Sequence, residues 1–349
     1  MIKVAVIGYG YSAQTFHIPL INASDSFELA AISSSQKDLL ERHYPQVLVF
    51  DTAEKLIASA AVDLVVITAP NDAHYPIAKQ CLECGINVVV EKPMVTTSTE
   101  AQELTTIARE RSLLLSVFHN RRWDGDFLTI KKLLDNNLVG DVRFFESHFD
   151  RFRPRVRQRW REQPGQGSGV WFDLGSHLVD QAISLFGLPE ALTARCLTLR
   201  KGSKTTDYFH VLLHYNDLEV VLHASSFSAA PNLRFRLEGT DGSFVKYGLD
   251  PQEQQLTSGV TPNDPCYGAE NADNYGRFYT ESSTELIETE QGCYQQYYAE
   301  ISAALALGAG NPVNPEEAVE VLKILELAEI SSVKGIRLAV PKSISNRVN

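Results

Sequence analysis

A lysine and a carboxylate occur together where an apolar run of the sequence ends. Residues 87–94 read NVVVEKPM, in which three valines are followed at once by Glu91, Lys92 and Pro93. An uninterrupted β-branched run predicts a strand buried on both faces, as in a parallel sheet, and proline marks the end of the strand ladder. An ammonium group there could stabilise the negative charge of a developing alkoxide. From position alone, an ion pair between Lys92 and Glu91 explains the pattern almost equally well.

A second set of ionisable residues falls on one predicted helix. The stretch GVWFDLGSHLVDQAISLFG, residues 169–187, places Asp173, His177 and Asp180 at i, i+4 and i+7, which is one helix face. Such groups on an otherwise apolar helix need water, a ligand or one another. Asp173 could hold the His177 ring in one tautomer and raise its basicity, as in a general base. A solvated helix face is the alternative.

The first strand leads into a glycine pattern that is typical of dinucleotide sites. VAVIGYGYSAQTFH contains Gly8-x-Gly10-x-x-Ala13 between a predicted strand and a predicted helix. Gly8 permits the tight turn, Gly10 lets the backbone approach a pyrophosphate, and Ala13 allows close packing of helix on strand. The helix N-terminus offers N–H groups to the phosphates. A simple tight strand–helix turn is the less favoured interpretation.

The end of the second strand indicates which dinucleotide binds. NAD sites usually carry Asp or Glu there, but this strand ends AAISSSQKD, with Ser33, Ser34, Ser35 and Lys37. Hydroxyls and a cation suit a 2′-phosphate, which a carboxylate would repel. The nearest acid, Asp38, is expected in the following helix. The sequence therefore favours NADP over NAD.

The spacing of the elements brings these residues to one edge of a sheet. From residue 1 to about 120, short apolar strands alternate with helical segments, which predicts a doubly wound parallel sheet with helices on both faces. Ligands of such sheets bind beyond the carboxyl ends of the strands. The residues expected to converge there are Pro70, Asn71, His74, Glu91, Lys92, Pro93, Asn120 and Arg122.

The sequence changes character after residue 122. A helix is followed by strands with period-2 alternation, such as DYFHVLLHY, which predict a mostly antiparallel sheet with one open face. We therefore expect an α/β protein of two domains: a Rossmann domain over residues 1–122 and an α/β domain over 123–349. The C-terminal helix could pack back on the first domain.

Composition and charge narrow the class of protein. The net charge of −11 argues against nucleic acid and anionic membranes as partners, although arginine recurs at every second position from 151 to 161. That stretch is best explained as a solvated or subunit-facing loop, and a local anion site is the alternative. The N-terminus lacks the pattern of a signal peptide and no membrane-span pattern occurs, so the expected location is cytoplasmic.

Other candidate metal or redox groups have simpler explanations. The five cysteines are few and scattered, and Cys81-x-x-Cys84 lies in a predicted helix without a second pair, so no disulfide framework or zinc site is predicted. His210, His214 and His223 are interpreted as residues on the face of a sheet. No metal is expected.

Taken together, these motifs resemble a known family. Gly8–Ala13, Glu91-Lys92-Pro93 and the run from Asp173 to His177 are similar to the glucose–fructose oxidoreductase/inositol dehydrogenase family, often called Gfo/Idh/MocA. The segments HNRRWDGDFLTIKKL and RFRPRVRQRWRE further resemble the branch that contains NADP-dependent scyllo-inositol 2-dehydrogenase. Most of the family carries an acid after the second strand, and the serines here depart from that pattern.

The resemblance implies an activity and a set of site residues. It implies that Lys92, Asp173 and His177 form the catalytic group, that Asp180 contacts a polyol, and that the open sheet packs in a homo-oligomer, a dimer or tetramer. The expected cofactor contacts are Gly8, Gly10, Tyr11, Ser12, Ala13, Ser33, Ser34, Ser35, Lys37, Pro70, Asn71, His74, Glu91, Lys92, Pro93 and Asn120. The expected substrate contacts are Lys92, Arg122, Asp173, His177 and Asp180.

The expected reaction is reversible hydride transfer between NADP and a secondary alcohol of a cyclic polyol or sugar, with scyllo-inositol as the leading substrate. A non-catalytic NADP-binding sensor or regulator is the alternative, since a fold alone does not imply turnover. The joint presence of Lys92, Asp173 and His177 favours the enzyme.

Overall fold

The described part of the chain forms two compact units. A computed structural model describes residues 1–59, 61–157, 162–165 and 167–341, so part of the arginine-rich stretch, Arg159 and Arg161, lies outside the described residues. The first unit contains residues 1–128, 250–270 and 290–319. The second contains residues 129–249, 271–289 and the chain from 320 onward.

A parallel sheet forms the centre of the first unit. Its six strands, counted over the described residues, are β1 (Ile2–Ile7), β2 (Phe27–Ser33), β3 (Leu48–Phe50), β4 (Leu64–Ile67), β5 (Asn87–Val90) and β6 (Leu115–Val117). Their order is β3-β2-β1-β4-β5-β6 and every pairing is parallel. The order reverses between β1 and β4, and ligands of open α/β sheets bind at such a point. The predicted Rossmann fold is confirmed.

Helices connect these strands. The helix after β1 includes a π-helical turn, Ala13–His17, and continues as α1 (Ile18–Asn22). The others are α2 (Lys37–His43), α3 (Ala53–Ser59), α4 (Asn71–Glu83), α5 (Ser98–Glu110) and α6 (Gly125–Asp135). A 3-10 turn, Asn120–Trp123, precedes α6. Thr97 caps α5, because its hydroxyl accepts the backbone N–H of Glu100.

A nine-stranded sheet dominates the second unit, and most of its pairings are antiparallel. Its strands in the described residues are β7 (Val142–His148), β8 (Ala191–Leu197), β9 (Tyr208–His214), β10 (Glu219–Ser225), β11 (Leu233–Gly239), β12 (Ser243–Tyr247), β13 (Gly276–Tyr279), β14 (Thr284–Ile287) and β15 (Leu338–Ala339). The order is β14-β13-β12-β11-β7-β10-β9-β8-β15, and only β7 and β10 run parallel within that described set. Along β9, buried residues alternate with half-buried ones, as expected for a sheet with one open face.

The helix that carries His177 packs on the buried face of this sheet. It includes a π-helical turn, Trp171–Gly175, and continues as α7 (Ser176–Phe186). The Trp171 ring meets Phe209 of β9 at a centroid distance of 4.8 Å, and its indole N–H donates to the carbonyl of Leu325 at 3.0 Å. A Cβ on Gly175 would lie 2.3 Å from the Trp171 ring, so only glycine fits there.

Three further helices complete the described elements. They are α8 (Gln252–Thr257), α9 (Gln295–Leu307) and α10 (Pro315–Lys334). Within the first unit, α9 contributes Tyr297 and Tyr298, both fully buried. The Tyr297 hydroxyl donates to the Ser116 hydroxyl of β6 at 2.9 Å. No helix in the described residues is long and apolar enough to cross a membrane.

Two local features differ from the sequence expectation. The sequence did not predict strand β3. This strand has only three residues, and Leu48 is 61% exposed, so its apolar run is too short to identify. The predicted α-helix over 169–187 contains a π turn, Trp171–Gly175, which the sequence did not indicate. A π turn takes up more residues than an α turn, and the close approach of Trp171 to Gly175 accompanies it.

We expect Gly175→Ala to destabilise the second unit by roughly 1–3 kcal/mol, the usual cost of overpacking a closed core. The Trp171 ring is fully buried and hydrogen-bonded, so any movement that makes room for a Cβ lowers the free energy of unfolding. Urea unfolding measures the loss. Gly310→Ala is the control, since a Cβ there meets no atom within 4 Å. Equal stability of both variants would contradict this role of Gly175.

Candidate active site

The glycine turn after β1 is shaped by its neighbours. Gly8 has a φ of 103°, which favours glycine, and a Cβ there would lie 2.8 Å from the Thr68 hydroxyl. Its N–H donates to the carbonyl of Ser33 at 2.9 Å, so the turn lies against the end of β2. A Cβ on Gly10 would meet no atom within 4 Å, and the backbone there is open to a ligand. These features fit a bound dinucleotide pyrophosphate.

The end of β2 presents hydroxyls and a cation. Ser33 is its last residue, and the Ser34 hydroxyl accepts the N–H of Gln36 at 3.2 Å. Lys37 begins α2 and lies 3.8 Å from Glu41, with half of its side chain exposed. Asp38 lies in the first turn of α2, as expected, and no carboxylate occurs between Ser33 and Lys37.

Glu91 connects the end of β5 to the helix after the glycine turn. Its carboxylate accepts a hydrogen bond from the hydroxyl of Ser12 and lies 3.0 Å from Nε2 of His17. Its second oxygen accepts the backbone N–H of Lys92 at 2.9 Å. On the other side of the His17 ring, Nδ1 lies 2.6 Å from the hydroxyl of Tyr298. Glu91 therefore has structural partners besides Lys92, and the predicted ion pair is not its sole explanation.

These contacts keep Glu91 ionised. Burial alone would raise the pKa of this carboxyl, whose side chain is 14% exposed. The hydrogen bond and charge of His17, the charge of Lys92 and the bond from Ser12 outweigh burial and lower the pKa to about 2. A carboxylate is therefore present at the end of β5 at neutral pH.

Next to Lys92, a buried histidine contacts the backbone at the ends of two strands. The Lys92–Pro93 peptide bond is cis, and the Lys92 side chain is partly exposed. His74, a residue of α4 with 1% exposure, lies with Nδ1 3.0 Å from the carbonyl of Pro93 and Nε2 2.9 Å from that of Ala69. Burial lowers the pKa of His74, and the two carbonyls oppose that shift only in part. His74 thus joins the ends of β4 and β5, whereas a cofactor contact stays a prediction.

The remaining first-unit residues lie near the same strand ends. Asn120 is 5% exposed in the 3-10 turn after β6. Arg122, two residues on, pairs with Glu317 at 2.7 Å. The Tyr11 hydroxyl donates to Glu253 at 2.9 Å. Pro70 is the N-cap of α4, and Asn71 is its first residue. Their assignments to cofactor or substrate stay predictions.

In the second unit, the helix face predicted from spacing is largely buried. Asp173 lies in the π turn and is partly exposed, whereas His177 and Asp180 of α7 are 5% and 2% exposed. The His177 ring lies 6.5 Å from the ring of Phe149, centroid to centroid. The alternative interpretation from the sequence was a solvated helix face. The burial of His177 and Asp180 does not agree with it.

A buried arginine that the sequence did not indicate supports this helix. Arg234 of β11 is fully buried; its guanidinium donates to the Ser147 hydroxyl at 2.7 Å and to Oε1 of Gln181 at 2.9 Å. It also lies 4.4 Å from the Phe149 ring centroid. Gln181 lies at i+4 from His177 on α7, so Arg234 connects the sheet to the helix face that carries His177. The only sequence signal is an arginine in an otherwise alternating strand.

Each unit carries its own set of candidate residues. The first unit gathers a dinucleotide turn and Lys92 at the carboxyl ends of its strands. The second carries an acid, Asp173, and a histidine, His177, along one helix. A cation, a histidine and a carboxylate are residue types that general acid–base catalysis uses.

We expect Glu91→Gln to lose stability in a pH-dependent way. With a folded pKa of about 2 and an unfolded value near 4.3, the carboxylate contributes stability above pH 4.3 that is lost as the pH falls toward 2. The free-energy difference between the unaltered protein and the variant should be on the order of 3 kcal/mol at pH 6 and roughly half that at pH 3.

Urea unfolding at the two pH values measures this difference. Glu110→Gln, at the exposed C-terminal end of α5, is the control and should show little change. A difference for Glu91→Gln that is the same at both pH values would contradict the proposed ionisation.

Comparison with known proteins identifies the family. The model of an oxidoreductase family's NAD-binding Rossmann fold matches residues 2–119, and the model of the C-terminal alpha/beta domain of that oxidoreductase family matches residues 131–339. Both descriptions agree with the observed sheets.

Individual relatives span nearly the whole chain. The uncharacterised oxidoreductase YdgJ of Escherichia coli K12 is 47% identical over 91% of this chain and 92% of its own length. The scyllo-inositol 2-dehydrogenase (NADP(+)) IolW of Bacillus subtilis 168 is 40% identical over 90% of this chain and 89% of its own length. A structure of yvaA from Bacillus subtilis superimposes with a TM-score of 0.95 at 39% identity, covering 97% of this chain and 98% of that one.

Both family models match in the expected order, and together they cover most of the chain. The protein therefore belongs to the Gfo/Idh/MocA oxidoreductase family.

Proposed function

We propose that the protein is an NADP-dependent dehydrogenase that transfers hydride between the nicotinamide and a secondary alcohol of a cyclic polyol or sugar. The observation that carries this proposal is the position of Lys92 at the carboxyl end of β5, in the same sheet edge as the glycine turn. A lysine there lies where the substrate of a doubly wound fold is expected.

The side chains have distinct roles in the proposed mechanism. Oxidised NADP, held by the glycine turn and the end of β2, would supply the hydride acceptor. His177 takes the hydroxyl proton as the alcohol carbon gives up its hydride, so the alcohol loses two hydrogens and becomes a ketone. Lys92 hydrogen-bonds the same oxygen and stabilises its negative charge as the proton leaves. Asp173 orients the His177 ring and stabilises the imidazolium that forms.

The preference for NADP rests on the end of β2. Ser33, Ser34 and Ser35 offer hydroxyl donors and Lys37 a positive charge, with no carboxylate among them. A 2′-phosphate next to these groups is favoured, while an NAD site would gain from an acid at this point. The relative IolW, named as an NADP enzyme, supports the same cofactor.

The leading substrate is scyllo-inositol, or its 2-keto form in the reverse direction. IolW is named for this reaction and is 40% identical over 90% of the chain. Asp180, buried one helical turn beyond His177, is the proposed contact for a further ring hydroxyl. A cyclic polyol presents several hydroxyls. A buried carboxylate that hydrogen-bonds one of them discriminates strongly against a substrate that lacks that hydroxyl.

A panel of inositol isomers and aldoses with NADP or NADPH tests the activity by absorbance. We expect scyllo-inositol to be oxidised fastest and Lys92→Ala to reduce kcat by roughly 10²–10³-fold, the usual effect of losing a donor at a developing oxyanion. Lys79→Ala is the matched control: it removes a lysine of α4 that pairs with Glu103 on the surface. NADP binding without turnover of any panel member would favour the sensor instead, and near-normal turnover by Lys92→Ala would exclude its role.

A second variant tests the cofactor. Ser34→Asp places a carboxylate beside the proposed 2′-phosphate, and the ratio of kcat/KM for NADP over NAD should fall about tenfold or more, since 1.4 kcal/mol of repulsion gives a factor of ten. Ser34→Ala is the control: it removes the hydroxyl without adding charge. Equal use of NAD and NADP by the unaltered protein would disprove the preference.

A further inference from the structure

Two histidines are neighbours on the open face of the nine-stranded sheet. His148 of β7 and His223 of β10 are register partners on adjacent parallel strands, which places both rings on one face. His210 of β9 is the register partner of His223 on the other side. Asp150 follows His148 by two residues and so returns to the same face. Strands β7 and β10 present this face opposite α7, whose Phe186 packs on Phe145 of the buried face.

Asp150 lies between the two rings. One carboxylate oxygen of Asp150 is 3.0 Å from Nδ1 of His148, and the other is 3.4 Å from Nε2 of His223. One ligand atom from each of these residues can be chosen so that all three lie within 4.8 Å of one another. Zinc with ligand distances of about 2.0–2.2 Å requires ligand atoms roughly 3.3 Å apart, so small side-chain rotations complete the geometry.

Two of the three candidate ligands, His148 and Asp150, are oriented by a neighbouring group. Nε2 of His148 lies 2.8 Å from a carboxylate oxygen of Glu146, which leaves Nδ1 for a metal. This is the carboxylate–histidine–metal arrangement that fixes ring and tautomer in metal sites. The carboxylate of Asp150 accepts the backbone N–H of Ser225 at 2.8 Å. Both support groups lie in the sheet, so the ligands are held by rigid strands.

The histidines are neither ordinary core residues nor solvated surface residues. The side chains of His148 and His223 are 13% and 15% exposed. Nδ1 of His223 is buried without a hydrogen-bond partner in the described part of the chain, so its surroundings do not fully satisfy this ring. The sequence interpretation of His223 as an isolated sheet-face residue omitted His148 and Asp150, which only the strand pairing brings to it.

We propose that His148, Asp150 and His223 bind a divalent first-row transition metal of the zinc type, with Glu146 orienting His148. Two imidazoles and a carboxylate suit zinc, and a water completes the fourth position. The site is independent of the proposed hydride transfer, because it lies on the sheet face opposite His177. The metal would cross-link β7 and β10 within one chain.

Titration calorimetry with ZnCl₂ tests the site, using the full chain without a histidine tag after removal of metal by chelator and dialysis. We expect about one equivalent of zinc per chain in the unaltered protein. His223→Ala and Asp150→Asn should each abolish that binding, while Glu146→Gln should weaken it roughly 10–100-fold at unchanged stoichiometry, as for other outer-shell carboxylates.

His214→Ala is the matched control, because His214 lies on the same face of β9 and pairs with Glu219 at 2.8 Å, outside the cluster. It should bind zinc like the unaltered protein. Circular dichroism confirms that each variant is folded, and Asp150→Asn, which keeps size and shape, carries the test if His223→Ala does not fold. Absence of zinc binding in the unaltered protein, or equal loss in His214→Ala, would overturn the proposal.

Discussion

The candidate site of the first unit depends on the hydrogen bonds made by the ionised carboxylate of Glu91. This carboxylate joins three parts of the chain: the helix after the glycine turn through Ser12 and His17, the end of β5 through the N–H of Lys92, and α9 through His17 and Tyr298. A largely buried carboxylate is costly unless charge-assisted hydrogen bonds surround it, and here they lower its pKa to about 2. The loss of any one partner leaves the others facing a charge that is poorly compensated, so the three elements keep a fixed relation.

The helix after the glycine turn and the helix that carries His177 each contain a π turn close to their start. Ala13–His17 follows the glycine turn, and Trp171–Gly175 precedes His177. π turns are rare and occur often at functional sites. In the first, the turn directs Ser12 and His17 at one carboxylate. In the second, Trp171 is fixed beneath Gly175 and by Leu325, which holds the start of α7 on the sheet. Each π turn therefore departs from regular α-helical geometry next to a polar residue of the candidate site.

The sequence predicted those parts of the molecule whose signal is local. Valine runs such as residues 88–90 indicate buried parallel strands, and Gly8-x-Gly10 between strand and helix indicates the dinucleotide turn. The partners of Glu91 were not predictable, since Ser12 and His17 are 79 and 74 residues away and meet it only through the strand order. The proximity of His148 and His223 was not predictable for the same reason: the two residues become neighbours only through strand pairing.

The two units differ in how strongly their residues constrain function. In the first unit, few other residues are compatible with positions 8 and 91. A Cβ at Gly8 or a neutral residue at 91 would disturb several elements at once. In the second, Arg234 of β11 donates to Gln181 of α7 and to Ser147 of β7, and these contacts fix α7 on the sheet. Under the proposed function, substitution at Asp180 would change which polyol fits, while the contact of Arg234 with Gln181 still holds α7 on the sheet. Under the same proposal, the first unit carries the cofactor contacts and α7 of the second unit carries the substrate contacts.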